Sequence, residues 1–191
     1  MIIFLVRHGE SEKTDKDPGL TQNGKYQSKR VAFFLKDLQI DKAYSSNLKR
    51  AKQTLEEYQK LCPKTNCEKV DNLNEIYRTI IGGPSKEGTS PNREEKDKAR
   101  ADEFFSKLIE MKARNIVLFT HGNLIRYFLS KALEIDAKTL WYNLVLSPGS
   151  VSVIEKQGDD LRVKAVNIIS HQDSKYLKDF YKDVSDEAYL P

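Results

Sequence analysis

Two stretches, Ile2-Ile3-Phe4-Leu5-Val6-Arg7-His8-Gly9 and Asn115-Ile116-Val117-Leu118-Phe119-Thr120-His121-Gly122, share one pattern: a continuous apolar run, then a histidine, then a glycine. Each run is short and β-branched or aromatic, as strands buried on both faces of a sheet are. Helical periods lie between them. Thr21 is an N-cap candidate, and Val31, Phe34, Leu35 and Leu38 follow at i, i+3, i+4 and i+7, which predicts a core-facing helix over Gln22–Leu38. Ala43–Ser45 reads as a short strand, with Ser46 capping a polar helix through Arg50, Gln53 and Thr54. Residues 62–71 read as a loop with a short strand at Cys67–Val70. Gly82–Asn92 is irregular, rich in Gly and Pro. Arg93–Met111 turns helical on a Phe104, Leu108, Met111 stripe, and Gly122–Leu133 is a second core helix. Val151–Glu155 and Leu161–Val166 frame Gly158-Asp159-Asp160, which is hairpin chemistry. Strands alternating with helices predict an α/β layered fold. At roughly 150 residues per domain, 1–191 is one domain, with no internal repeat or linker.

Composition narrows the function classes. Charged residues at 31% describe a well-solvated surface, and the net charge of +4 is too mild to imply a nucleic-acid binder. A modest positive field suits an anionic small molecule or a phosphorylated group equally well. No apolar run approaches the length of a membrane-spanning helix. Ile2–Val6 follows Met1 with no basic n-region and no small-residue cleavage site, so the expectation is a cytoplasmic protein without a leader. Cys62 and Cys67 are the only cysteines, and the histidines are remote from them in sequence, so neither a disulfide framework nor a zinc site is expected.

The chemistry gathers where the two buried strands end. In open α/β sheets ligands bind beyond the carboxyl ends of the strands, so each histidine faces the crevice. If the strands are neighbours, the two imidazoles converge. The glycine after each histidine lets the backbone approach a ligand closely or adopt a conformation closed to other residues. Arg7 beside them makes an anion the natural guest, because a guanidinium matches phosphate oxygens bidentately.

Further blocks then carry a resemblance. Arg7-His8-Gly9 resembles the R-H-G signature of the histidine phosphatase (phosphoglycerate-mutase-like) superfamily. Leu20-Thr21-x-x-Gly24-x-x-Gln27 and Ser45-Ser46-x-Leu48-x-Arg50-Ala51-x-Gln53-Thr54 are similar to its next two blocks, in the same order. Leu73-x-Glu75 matches the position of its acid, and Thr120-His121-Gly122 its second histidine. The resemblance implies a three-layer α/β/α sandwich with a mostly parallel central sheet. It makes His8 the nucleophile that becomes phosphorylated, Glu75 the general acid and base, and His121 the second catalytic histidine, protonated when phosphate is bound. Arg7, Arg50 and Gly122 would hold phosphate, and Ser11 either binds it or stabilises a turn. No metal and no cofactor is implied, because these cations already clamp the phosphate. His171 reads as structural or solvent-exposed.

Departures from the family pattern bear on the substrate. The mutases carry an Asn a few residues after the first motif, where this chain has Thr14, and Glu75 leads into Ile76-Tyr77-Arg78-Thr79-Ile80-Ile81-Gly82-Gly83. The short path from His8 to Leu20 and the lack of a long insertion around Glu75 favour a phosphatase over a phosphoglycerate mutase. Asn123-Leu124-Ile125-Arg126-Tyr127-Phe128, with Ala132-Leu133 and the Pro148-Gly149-Ser150 turn, is most similar to the branch of phosphoglycerate-mutase-like Ser/Thr protein phosphatases. The expected partner is a phosphorylated metabolite or phosphoprotein, not nucleic acid or membrane. Phosphohistidine hydrolysis and a weakly catalytic phosphate-binding module are the other readings. The Gly82–Asn92 loop and the charged Arg93–Arg100 segment read as a solvated loop and helix face, with the substrate entrance as the alternative. The tail aromatics Tyr176, Phe180, Tyr181 and Tyr189 would support a homodimer.

Overall fold

The first buried run forms β1 (Ile2–Arg7), and Thr21 caps α1 (Gln22–Leu35) by accepting the Gly24 N–H at 2.9 Å. Then follow β2 (Lys42–Ser46), α2 (Lys49–Leu61), β3 (Asn66–Val70), and 3-10 turns at Asp71–Leu73 and Arg78–Ile81. The chain continues with α3 (Pro91–Ile109), β4 (Asn115–Thr120), α4 (Gly122–Leu133), a 3-10 turn at Ala137–Thr139, and α5 (Leu140–Asn143). The hairpin β5 (Val151–Gln157) and β6 (Asp160–Ile168) closes the fold. This computed structural model describes residues 1–13, 16–85 and 91–172. Thr14, residues 86–90 of the Gly82–Asn92 loop, and the tail aromatics Tyr176, Phe180, Tyr181 and Tyr189 lie outside the described residues.

The six strands make one sheet in the order β3-β2-β4-β1-β5-β6. Strands β3, β2, β4 and β1 pair parallel, and only the links through β5 are antiparallel. The continuous apolar runs follow from burial on both faces. Ile3, Leu5, Ile116 and Leu118 pack with Phe104, Leu108, Leu124 and Phe128 of α3 and α4. The alternate residues Phe4, Val6, Val117 and Phe119 pack with Val31, Leu35, Leu55 and Tyr58 of α1 and α2. Helices therefore cover both faces, giving the α/β/α layering.

Boundaries moved where burial and helicity part company. Helix α1 stops at Leu35, and Gln39 takes a left-handed φ of 48°. Leu38 still packs on the α1–α2 core, from a turn rather than a helix, so its spacing marked burial only. The helix expected over Arg93–Met111 spans Pro91–Ile109, and Met111 is held by a turn to Leu108. The Ala137–Asn143 turns were not legible because Leu140 is their one buried residue. Cys62 and Cys67 are free thiols. Among the described residues no helix is long and apolar enough to cross a membrane.

Candidate active site

Strand register brings the two histidines together. Arg7 lies opposite Thr120 in the parallel β1–β4 pair, and the His8 N–H donates to the Thr120 carbonyl at 3.0 Å. Their rings then sit edge to face with centroids 5.1 Å apart. His8 is 6% exposed and His121 is fully buried.

The bonding assigns each tautomer. His8 Nδ1–H donates to the Gly9 carbonyl at 2.7 Å, so Nε2 keeps its lone pair, and Arg50 Nε–H donates to it at 3.0 Å. Burial, and then the charges of Arg7 and Arg50, hold the His8 pKa well below its usual value, so the ring is neutral near pH 7. At His121 the decision falls to Ser46. That hydroxyl donates its single hydrogen to Asn74 Oδ1 at 2.8 Å and accepts the Leu48 N–H at 3.0 Å. His121 Nε2, 2.8 Å from Ser46 Oγ, must therefore be the donor. Its Nδ1 is buried with no hydrogen-bond partner. Burial, then His8, Arg50 and Arg7, also depress the His121 pKa, so without an anion this ring is neutral too.

Glu75 joins the pair from the segment after β3. Its carboxylate accepts Leu124 N–H at 3.1 Å and Asn123 N–H at 3.4 Å at the start of α4, so it is not a solvated loop carboxylate. Burial pushes its pKa up, against the Asn123 N–H, Arg50, Leu124 N–H and Arg7, which oppose the shift. Gly122 begins α4, and a Cβ there would stand 3.5 Å from both Arg7 Nε and Arg126 Nη1. Two guanidinium groups thus meet a helix N-terminus, an arrangement suited to an anion. Arg7 Nη1 donates to the Leu146 carbonyl, and Arg126 Nε to the Leu144 carbonyl at 2.8 Å. Arg126, only 5% exposed, also donates to Asn123 Oδ1 at 3.3 Å. It is a charge at the site that the sequence placed only within a branch signature.

Several expectations change. Ser46 is not the N-cap of α2; that position is Leu48, and the Asp17 carboxylate accepts the Lys49 N–H at 2.9 Å while lying 3.8 Å from Arg50. Ser46 instead fixes His121. Chain packing requires glycine at position 9, because a Cβ there would lie 2.3 Å from the Gly24 carbonyl oxygen. Gly24 in turn would put its Cβ 1.9 Å from the Glu10 carbonyl oxygen. Ser11 pairs with Leu20 through its backbone in an isolated antiparallel bridge. His171 is buried and structural, with Nε2–H donating to the Gly149 carbonyl at 2.9 Å. Arg100 and Asp97 turn inward from α3 onto the segment carrying Glu75, away from the solvated face expected of them. A cavity of about 780 Å³ between α3 and α4, lined by Lys98, Phe105, Tyr127 and Lys131, contains none of the expected catalytic or phosphate-binding residues.

The remaining motif residues are braces. Glu10 accepts Thr21 Oγ1–H at 2.6 Å and Asn23 Nδ2–H at 2.9 Å, and its N–H donates to Gln27 Oε1 at 2.7 Å. Thr54 Oγ1 accepts the Gly9 N–H at 3.2 Å, and Gln53 Oε1 accepts the Leu20 N–H at 2.7 Å.

The family model described as histidine phosphatase superfamily (branch 1) matches residues 3–98 and 87–169. A mitochondrial serine/threonine-protein phosphatase Pgam5 of Drosophila grimshawi is 30% identical over 168 residues, covering 78% of this chain and 56% of that protein. A probable phosphatase of Schizosaccharomyces pombe is 30% identical over 90 residues, 43% of each chain. This chain thus spans about half the length of these relatives. Among solved structures, a mutant Entamoeba histolytica phosphoserine phosphatase in complex with phosphoserine superposes with a TM-score of 0.68 at 23% identity, covering 89% of this chain and 98% of that one. At that identity the likeness speaks for the fold.

Proposed function

This chain belongs to the histidine phosphatase superfamily, and on that premise we propose that it hydrolyses phosphomonoesters through a phosphohistidine formed on His8. The observation that carries this reading is the state of His8: a buried neutral imidazole with Nδ1–H anchored on Gly9 and the Nε2 lone pair facing Arg50. An incoming phosphate dianion takes over the Arg50 donor and frees that lone pair to attack phosphorus. The N–P bond forms as the P–O bond to the leaving group breaks, and Glu75 gives its proton to the departing oxygen. Water then attacks the phosphohistidine, Glu75 takes its proton, and the N–P bond breaks to release phosphate and restore His8. The raised pKa of Glu75 supports its acid role, and the dianion's own charge raises it further. The same charge favours protonation of His121 at its unpartnered Nδ1, giving a donor to an equatorial oxygen while Ser46 holds Nε2.

The substrate in this reading is a phosphorylated metabolite or a phospho-Ser/Thr protein; the Pgam5 relatives favour the protein. Phosphate release from phosphometabolites, phosphopeptides and a phosphohistidine protein, with EDTA present, tests the proposal. Turnover by the wild type and none by His8→Ala supports it; folded wild type that binds phosphate without releasing any refutes it. Incubation with 3-phosphoglycerate distinguishes a mutase, which yields the isomer rather than free phosphate.

A further inference from the structure

Resting on this hydrolase reading, we propose that Arg100 and Asp97 are positioning residues that set Glu75 and the His121 support in place together. Arg100 Nη1 donates to the carbonyls of Asn74 at 2.7 Å, Asn72 at 3.1 Å and Asp71 at 3.3 Å, and Nη2 to that of Glu75 at 2.9 Å. Asp97 Oδ1 accepts Arg100 Nε–H at 3.0 Å and Nη2–H at 2.8 Å, and Asp97 Oδ2 accepts the Tyr77 N–H at 3.0 Å. One ion pair on α3 therefore grips five backbone groups between Asp71 and Tyr77. Most of this segment has no sheet or helix partner for those groups, so its course depends on the two side chains.

What the grip controls makes it more than a loop brace. Asn74 and Glu75, adjacent and both held by carbonyl bonds to one guanidinium, send their side chains to opposite partners of the reaction. Asn74 Oδ1 accepts the Ser46 hydroxyl that fixes His121, and its orientation is set because Nδ2 donates to Asp71 Oδ1 at 3.0 Å. Glu75 sends its carboxylate to the start of α4. The Arg100 charge also reaches His121, where it adds to the depression of that pKa. Arg100 touches only backbone and Asp97 in these contacts, so it acts through Asn74 and Glu75. A lysine keeps the charge but presents no planar fork.

The test compares wild type, Arg100→Lys, Asp97→Asn, Glu75→Gln and the Arg100→Lys/Glu75→Gln double variant on two substrates. An alkyl phosphate needs its leaving oxygen protonated, whereas p-nitrophenyl phosphate needs little help. Misplacement of the acid by about 1 Å predicts a kcat loss near 10²-fold on the alkyl ester, with KM within about threefold. The loss on p-nitrophenyl phosphate should be smaller, and the limb of the pH–kcat profile lost in Glu75→Gln should shift. In the Glu75→Gln background Arg100→Lys should add only the loss that runs through Asn74, Ser46 and His121, the same factor as its loss on p-nitrophenyl phosphate, and less than the product of the two single losses on the alkyl ester. Asp97→Asn should follow the same pattern more weakly, and decides the matter if Arg100→Lys does not fold by circular dichroism. Equal losses on both substrates, or additive losses in the double variant, overturn the positioning role alone. Absence of turnover by the wild type overturns the hydrolase reading and this role with it.

Discussion

Replacing Ser46 with alanine separates two roles that one hydroxyl could play. The substitution strands the Leu48 N–H, the His121 Nε2–H and half of the Asn74 acceptor. Leu48 is partly exposed and can recruit water, and Asn74 Oδ1 keeps the Asn47 N–H at 2.9 Å. His121 is fully buried, so the penalty concentrates there. A buried donor left unpaired costs about 1–3 kcal/mol. If the lost bond is one that the protonated ring needs in the transition state, that range becomes roughly five- to 150-fold in kcat/KM. The assay is kcat/KM on p-nitrophenyl phosphate alongside a urea unfolding curve, with Ser46→Thr as the variant that retains a hydroxyl. Nitrogen-15 shifts of the imidazole should show the Nε2–H tautomer of His121 in the wild type and a mixture in Ser46→Ala. Lost stability with kcat/KM within twofold of wild type would refute the reasoning and return Ser46 to a helix-start role.

Two further outcomes follow from burial and from close packing. His8, His121 and His171 all have depressed pKa values, with burial the main cause, so the unfolded chain binds protons that the native state refuses. Stability should be full above about pH 6.5 and fall on acidification by about 1.4 kcal/mol per pH unit for each group until its native pKa is reached. Glu75 works in the opposite sense, since its raised pKa adds stability on the acid side that is lost as pH rises through the raised value. Urea titrations between pH 7.5 and 5 check this, and a flat profile contradicts it. Gly24→Ala drives a Cβ to 1.9 Å from the Glu10 carbonyl oxygen, so it should cost about 1–3 kcal/mol and impair turnover by shifting the strand end after His8. Gly158→Ala meets no atom within 4 Å and carries only the strain of its φ of +60°, so thermal denaturation should rank it milder, at about 1 kcal/mol or less.

The parts readable from the chain are those whose signal is local. Ile2–Val6 and Asn115–Thr120 announce buried strands by their own composition, and register did the rest, because neighbouring parallel strands ending alike carry His8 and His121 to one level. Glu75 was legible only through motif order; nothing around it marks a carboxylate that docks on a helix start. Ser46, Asn74, Asp97 and Arg100 were misread or passed over for one reason. Their bonds join residues distant in sequence, Ser46 to His121 across 75 positions and Arg100 to Glu75 across 25. Each alone resembles an ordinary helix cap or surface charge. Gly9 and Gly24 were noticed, but the crowding that requires glycine arises only once α1 lies against the end of β1.

The bridge between Ser11 and Leu20 is the neck of a closed excursion. Backbone bonds from Thr21 to Glu10 at 3.1 Å and from Glu12 to Gly19 at 3.0 Å seal it on either side. Chain length can be added beyond that neck at little entropic expense, about 0.6 kcal/mol per doubling, without moving the backbone on which His8 rests. The excursion touches the charge machinery at Asp17, which lies beside Arg50. A charge carried on that excursion therefore acts on the Arg50 guanidinium from outside the sheet, and does so without sharing any of the backbone bonds that hold the end of β1.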